Sequence, residues 1–231
     1  MIIPMDILLV LLAYVMYIAF WVRIFTHVRI WLSAAVQTAK YTRAPLGSFS
    51  VCALTALEVL FFRKLFADDK PLWPGSWLFH FSLFFVLLRH LRYFLQPVPH
   101  CIAIVQPYGI FAGYTLLIAL VYILSVRLFS WKKRYVSYSN FFILSVLLLL
   151  SVSGLVMRNF FRPDLLQAKV FILGIFTFRP EAAPSGILFA FHFLMALLLL
   201  PYVPSHIFTA PFVIAEAARR EEGLRMVIHE K

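Results

Sequence analysis

Acidic residues are scarce in this sequence: ten Asp and Glu stand against 21 Lys and Arg in 231 residues, and charged residues of both signs make up 13%. A soluble globular domain carries about a quarter charged residues, so an ordinary water-facing surface cannot be built from this chain. Cysteine is nearly missing as well. Cys52 and Cys101 are isolated and far apart, which excludes a disulfide scaffold and any CxxC iron–sulfur, zinc or dithiol-redox centre. No internal repeat and no low-complexity linker divides the chain. What is abundant is apolar surface: 63% of residues are hydrophobic, 17% aromatic, and the mean hydropathy is +0.90. That composition excludes intrinsic disorder and a soluble enzyme, and makes the bilayer the solvent. The net charge of +11 sits beside long apolar runs and not in a polar tract, so it reads as a topology signal and not as nucleic-acid binding.

A helix needs about 20 mostly apolar residues to cross the hydrocarbon region, and five runs qualify: 5–22, 76–95, 108–129, 140–157 and 186–208. The first is followed by Arg23 and lacks a basic n-region and an A-x-A-like site, so it reads as a retained helix and not a cleaved signal peptide. A shorter stretch, 51–65, holds Glu58 and ends in Arg63 and Lys64; it reads as an interfacial or re-entrant helix. With five crossings, most cations fall on one side. They are Arg23, Arg29, Lys40, Arg43, Arg63, Lys64 and Lys70, then Arg127, Lys132, Lys133 and Arg134, then Arg219, Arg220, Arg225 and Lys231. Opposite them lie Arg158, Arg162, Lys169 and Arg179, with Arg89 and Arg92 near the outer end of the second span. The positive-inside rule then puts the N-terminus outside and a tail, 212–231, in the cytoplasm. The expected fold is an all-α, five-helix transmembrane bundle forming one domain over 1–231 in the cytoplasmic membrane.

Ionisable residues inside a bilayer are costly and mark function by default. Of seven histidines, His27, His100 and His229 fall in predicted loops or the tail, where solvation explains them. His80 and His90 lie on the second span, His192 and His206 on the fifth. A straight helix separates the first pair by about 15 Å and the second by about 21 Å, with each pair within about 80° around its axis. Pro201 and Pro204 soften the second distance. Because the two spans run in opposite directions, depth matches His80 with His206 near the cytoplasm and His90 with His192 toward the outside. Imidazole pairs across a helical bundle are axial ligands for haem iron, and phenylalanine-rich walls suit a porphyrin. The alternative is hydrogen bonding between helices. Zinc fits less well, because each layer offers two histidines and no cysteine or nearby carboxylate.

The stretch Ser76-Trp77-Leu78-Phe79-His80, followed ten residues later by His90, resembles the second helix of the cytochrome b (gamma) subunit family of respiratory nitrate reductase. His206-Ile207-Phe208-Thr209-Ala210-Pro211, with His192 upstream, resembles the end of that family's fifth helix. Lys70-Pro71-Leu72-Trp73 and Arg89-His90-Leu91-Arg92-Tyr93 are most similar to its DsrM-type branch, found in sulfate-reduction and heterodisulfide-reductase-like complexes. The His192-to-His206 spacing is about one turn shorter than in the nitrate-reductase subunit. The resemblance implies two haems b between the second and fifth helices, menaquinol as substrate and a cytoplasmic iron–sulfur partner subunit, within a complex that can hold further redox subunits. It implies electron transfer from menaquinol, oxidised near the outer haem, to that partner in anaerobic respiration, with no soluble substrate reduced by this chain alone. Two histidines per iron leave no open coordination position, which suits electron transfer. On this reading Arg89 and Arg92 are candidate partners for haem propionates. The group Tyr93, His100, Gln106, Arg158, Asp164 and Glu181 supplies polar candidates on the quinol side. Gly109, Gly113, Gly154 and Gly174 permit close helix or cofactor approach. Rival readings are a haem-free transporter or proton relay, and a purely structural membrane anchor.

Overall fold

The structure, a computed structural model, describes residues 4–39, 49–129, 138–204 and 210–229. His206 lies outside the described residues, as do Lys40, Arg43, Lys132, Lys133, Arg134 and Lys231 among the cations that set the expected topology. The described elements are helical: α1 (Pro4–Ala39), α2 (Phe49–Phe61), α3 (Arg63–Asp68), α4 (Leu72–His90), α5 (His100–Phe129), α6 (Tyr138–Asn159), α7 (Leu165–Phe176), α8 (Ile187–Leu199) and α9 (Ala210–His229). Short 3-10 turns, Leu91–Tyr93 and Leu200–Tyr202, follow α4 and α8. Among the described residues, three helices are long and apolar enough to cross a bilayer: Met5–Ser33 within α1, α5 and α6.

The apolar surface is turned outward along these helices. On α1, Leu8, Leu11, Val15, Ile18, Val22 and Phe25 are all exposed. Their spacing of three and four residues makes one stripe along the helix, and a contiguous exposed apolar stripe marks a surface that meets lipid or another protein. On α5, Ile104, Phe111 and Ile118 are exposed at intervals of seven, while Ala112, Leu116, Ala119, Leu120 and Ile123 are buried. The protein is an all-α membrane protein whose lipid-facing and protein-facing stripes are both written in helical period.

The chain forms two compact units. One takes the beginning of α1, up to Met16, and α4 through α8. Its closest pair is α4 with α5, and two glycines explain how the backbones approach. A Cβ at Gly75 on α4 would lie 2.5 Å from the Tyr122 ring on α5, and one at Gly109 on α5 would lie 2.7 Å from Arg89 Cβ on α4. Gly75 thus faces Tyr122, Arg89 faces Gly109, and Arg92 Nη1 donates to Gln106 Oε1 at 3.1 Å, a constant antiparallel register. Tyr122 Oη, donating to the Pro71 carbonyl at 2.8 Å, fixes the other end. Leu116, Leu120 and Ile123 of α5 form a core with Leu144 of α6, onto which Phe79, Leu83 and Val86 of α4 pack. A second core joins Leu9 and Val10 of α1 to Phe171 of α7 and Ala183, with Phe189 and Phe193 of α8 against it. Tyr14 locks this corner: its hydroxyl donates to the Ile175 carbonyl at 3.2 Å, and its ring stacks on Phe178 at 5.6 Å.

The other unit takes the remainder of α1 with α2, α3 and α9. Here the stretch 51–65 is interrupted: Phe62 adopts φ 51°, ψ 47° and separates α2 from α3. Glu58, the acidic residue inside that apolar stretch, accepts the Lys64 backbone N–H at 2.9 Å and so satisfies an open donor of the first turn of α3. Its carboxylate therefore has a local structural use. Lys64 reaches Glu221 of α9 at 3.8 Å, and the Trp31 ring of α1 lies 4.8 Å from Phe212.

Several boundaries differ from the sequence expectation. Helix α1 continues past Val22 through Arg23 and Arg29, so His27 is on a helix; His100 opens α5 and His229 closes α9. The expected fifth span ends as an α-helix at Leu199 and tightens into a 3-10 turn at Pro201, because proline donates no hydrogen bond and clashes with the preceding turn. The segment between α6 and α8, read as a loop, contains the apolar helix α7. Asp164 starts it by accepting the N–H groups of Leu166 at 2.8 Å and Gln167 at 3.3 Å.

Candidate haem-ligand site at His90 and His192

The last turn of α4 and the middle of α8 bring two imidazoles together. The rings of His90 and His192 have centroids 6.5 Å apart and planes 16° apart. Both residues are half-buried. Two imidazoles sharing one metal through bonds of about 2 Å each have ring centres a little over about 6 Å apart, so the observed spacing suits an axial pair.

The nitrogen chemistry points the same way. His90 Nδ1 donates to the Val86 carbonyl at 2.7 Å, four residues back on its own helix. His80 makes the same bond to the Ser76 carbonyl, also at 2.7 Å. A carbonyl only accepts, so both rings carry a proton on Nδ1; on His90 this leaves Nε2 as the nitrogen a metal would take. His192 is held differently: its Nδ1 lies 2.9 Å from Ser153 Oγ on α6. The Ser153 hydroxyl donates to the Leu150 carbonyl at 3.0 Å, which leaves its oxygen to accept from His192 Nδ1–H. Each described candidate ligand therefore has Nδ1 engaged, the anchoring by which a metal-bound imidazole presents Nε2. Among the described residues, no three or more His, Cys, Asp or Glu side chains gather as a metal site. Two imidazoles are the number a porphyrin leaves its protein to supply.

Polar residues from the second span surround this pair. Arg89 lies with its stem against Gly109. Arg92 donates from Nη1 to Gln106 Oε1 at 3.1 Å and from Nη2 to Tyr93 Oη at 2.6 Å, and its guanidinium carbon is 4.7 Å from the Tyr93 ring centre. The Tyr93 ring is 6.1 Å from that of His90. Arg92 and Arg158, the latter in the last turn of α6, both lie within electrostatic reach of Arg89. Three guanidiniums thus share one neighbourhood. Helix α7 packs on the turn that carries Arg92 and Tyr93, with the Phe176 ring 5.4 Å from Phe94.

The structure gathers some of the expected site residues and spreads the others. His90, His192, Arg89, Arg92, Tyr93, Gln106 and Arg158 belong to the neighbourhood just described. His80 is exposed on α4 beside the Phe79 ring, and its expected partner His206 is among the residues not described. His100 is exposed at the start of α5, Asp164 is engaged in capping α7, and Glu181 is exposed. Ser153 is a residue that sequence reasoning passed over. Its one signal was the small Ser153-Gly154 pair inside an apolar helix, and the pairing of α6 with α8 was needed to give that pair a meaning.

Fold and site together define a class: a helical membrane protein that presents paired imidazoles between two of its helices. Within that class, the chain is similar to two proteins named Hdr-like menaquinol oxidoreductase cytochrome b-like subunit. It is 31% identical over 191 residues to the one from Archaeoglobus profundus, covering 70% of this chain and 56% of that protein. It is 33% identical over 176 residues to the one from Archaeoglobus fulgidus, covering 64% of this chain and 53% of that protein. The chain spans about half the length of the curated relatives it matches. No protein-family model and no solved structure matches it.

Proposed function

We propose that the chain is a di-haem cytochrome b subunit of the DsrM type, which takes electrons from menaquinol and passes them to a cytoplasmic iron–sulfur subunit of a heterodisulfide-reductase-like complex. The observation that carries this reading is the His90–His192 pair, two Nδ1-anchored imidazoles 6.5 Å apart on separate helices. The names of the similar proteins, cytochrome b-like subunits of an Hdr-like menaquinol oxidoreductase, support its coarser part, a membrane redox subunit. His90 and His192 hold the outer haem in this proposal, and His80 with His206 hold the inner one. Bound there, haem supplies a one-electron carrier without an open coordination position.

The remaining assignments follow from this chain's own side chains. Arg89, Arg92 and Arg158 gather positive charge where carboxylate groups of a haem would be met. Arg92 orients Tyr93 and Gln106, and these three side chains next to His90 offer a quinol oxygen hydrogen-bond partners within reach of the outer ligand pair. The proposed topology keeps five crossings, by α1, α4, α5, α6 and α8, with the N-terminus outside and α9 in the cytoplasm. It leaves α2 and α3 at the cytoplasmic interface, since the 13 residues of α2 extend only about 20 Å.

A reduced-minus-oxidised spectrum of the purified full chain, with haem quantified per polypeptide, tests the proposal. Two haems b are expected, falling to one in His192→Ala. A transporter or a bare anchor would show no b-type bands, and full haem content in both His90→Ala and His192→Ala would overturn the ligand assignment.

A further inference from the structure

The three described candidate ligands are not held alike. His80 and His90 each anchor Nδ1 on a carbonyl of their own helix, four residues back, so their orientation is set wherever α4 forms. His192 is anchored on another helix: its Nδ1 lies 2.9 Å from Ser153 Oγ of α6, with the Leu150 carbonyl of the same helix also facing the ring. Ser153 is 3% exposed and its proton is engaged by the Leu150 carbonyl. The neighbouring Gly154 clears the space for the ring. A Cβ there would meet His192 and nothing else close by, with Cε1 at 3.0 Å, Nδ1 at 3.6 Å and Nε2 at 4.0 Å. Ser153, beside the Leu150 carbonyl three residues before it, supplies an acceptor on α6, and Gly154 supplies the room.

We infer that Ser153 and Gly154 are positioning residues for His192: they form a cradle on α6 that fixes its tautomer and ring plane, and so the geometry of the outer ligand pair. The inference rests on the reading of His192 as an axial ligand. Outer-shell partners of this kind set ring orientation and ligand basicity, and their loss commonly costs about 10- to 100-fold in metal affinity or activity. Neither residue touches the haem in this scheme; both act through the imidazole.

The test uses the full chain in membranes, oxidised, with electron paramagnetic resonance and redox titration as readouts. The anisotropy of a low-spin ferric haem signal follows the relative orientation of its two imidazole planes, which a merely structural role would not move. His192→Ala identifies the outer signal by abolishing it. Ser153→Ala is expected to shift that signal and its midpoint potential and to weaken haem retention at that site by about 10-fold or more, with the second signal unchanged as the internal control of folding. Ser153→Thr, which keeps the hydroxyl, restores the wild-type signal. Gly154→Ala, which keeps the acceptor but crowds the ring, shifts the same signal. A wild-type spectrum in both Ser153→Ala and Gly154→Ala, with the outer signal lost in His192→Ala, overturns the cradle and leaves the ligand assignment standing. Equal loss of both signals in Ser153→Ala makes the serine a packing residue and also overturns it. If His192→Ala retains both signals, the ligand assignment itself falls and takes the inference with it.

Discussion

A charged side chain near the end of a membrane helix has two ways to be tolerated, and Arg89 and Arg92 divide them. Arg92 spends its guanidinium on Gln106 and Tyr93. Arg89 lays its stem on Gly109, where a Cβ would come within 2.7 Å of Arg89 Cβ and 3.0 Å of the Phe85 carbonyl. Because these are atoms close to or in the α4 backbone, they cannot swing aside. Gly109→Ala is therefore expected to destabilise the protein by about 1–3 kcal/mol, the ordinary range for overpacking, and to lower the midpoint of thermal unfolding in detergent. An unchanged midpoint would mean that α4 and α5 are not this close. Tyr93→Phe isolates the other interaction: it deletes the 2.6 Å hydrogen bond to Arg92 while keeping the ring, so its stability cost is expected near about 1.5–3 kcal/mol, the range for bonds to charged groups. If the quinol reading holds, it also lowers the menaquinol oxidation rate while leaving haem content at the wild-type level. Haem loss in Tyr93→Phe would instead tie the tyrosine to the ligand pair.

At the scale of elements, α7 shows what a single capping residue can do. Its apolar run, Leu165 to Phe176, is too short to span, yet Asp164 satisfies two of its first N–H groups and Phe171 is fully buried between α1 and α8. Asp164→Ala is expected to cost about 0.5–2 kcal/mol and to speed hydrogen exchange at the amides of Leu166 and Gln167 ahead of the rest of the helix; exchange unchanged at those two amides would refute the cap. This helix also illustrates where sequence reading stopped. Helices α5 and α6 were legible because uninterrupted apolar runs of membrane length leave no other stable choice. Helix α7 was not, since a 12-residue segment that carries Gln167 and Lys169 among its apolar residues also suits a loop that packs on the bundle. The break at Phe62 was hidden for another reason: a bulky residue at positive φ is disfavoured by local sterics, so nothing in the residue type announces it. Within the site, the depth matching of His90 with His192 followed from helix rise and opposite direction alone. The part played by Ser153 did not, because it depends on the rotation of α6 about its axis, which a nearly uniform apolar helix does not encode.

The topology of the whole molecule turns on whether α2 crosses. At 13 residues it reaches about 20 Å, against a hydrocarbon core of about 30 Å, and Phe62 then redirects the chain. The chain carries its own reporters of the answer, because its two cysteines are both exposed and fall on either side of α4: Cys52 lies within α2, and Cys101 at the beginning of α5. With five crossings, Cys101 is outside and Cys52 is at the cytoplasmic interface. In intact cells, a membrane-impermeant maleimide is therefore expected to modify the Cys52→Ser variant, through Cys101, and to leave the Cys101→Ser variant unmodified until the membrane is permeabilised. A sixth crossing by α2 keeps the N-terminus outside but reverses everything after it, so Cys101 would then be protected in intact cells. That reversal would place His90, Arg92 and Tyr93 at the cytoplasmic face and remove the outer quinol site, while leaving the His90–His192 separation untouched. Accessibility of one thiol thus decides which leaflet the ligand pair serves, independently of whether the pair binds haem.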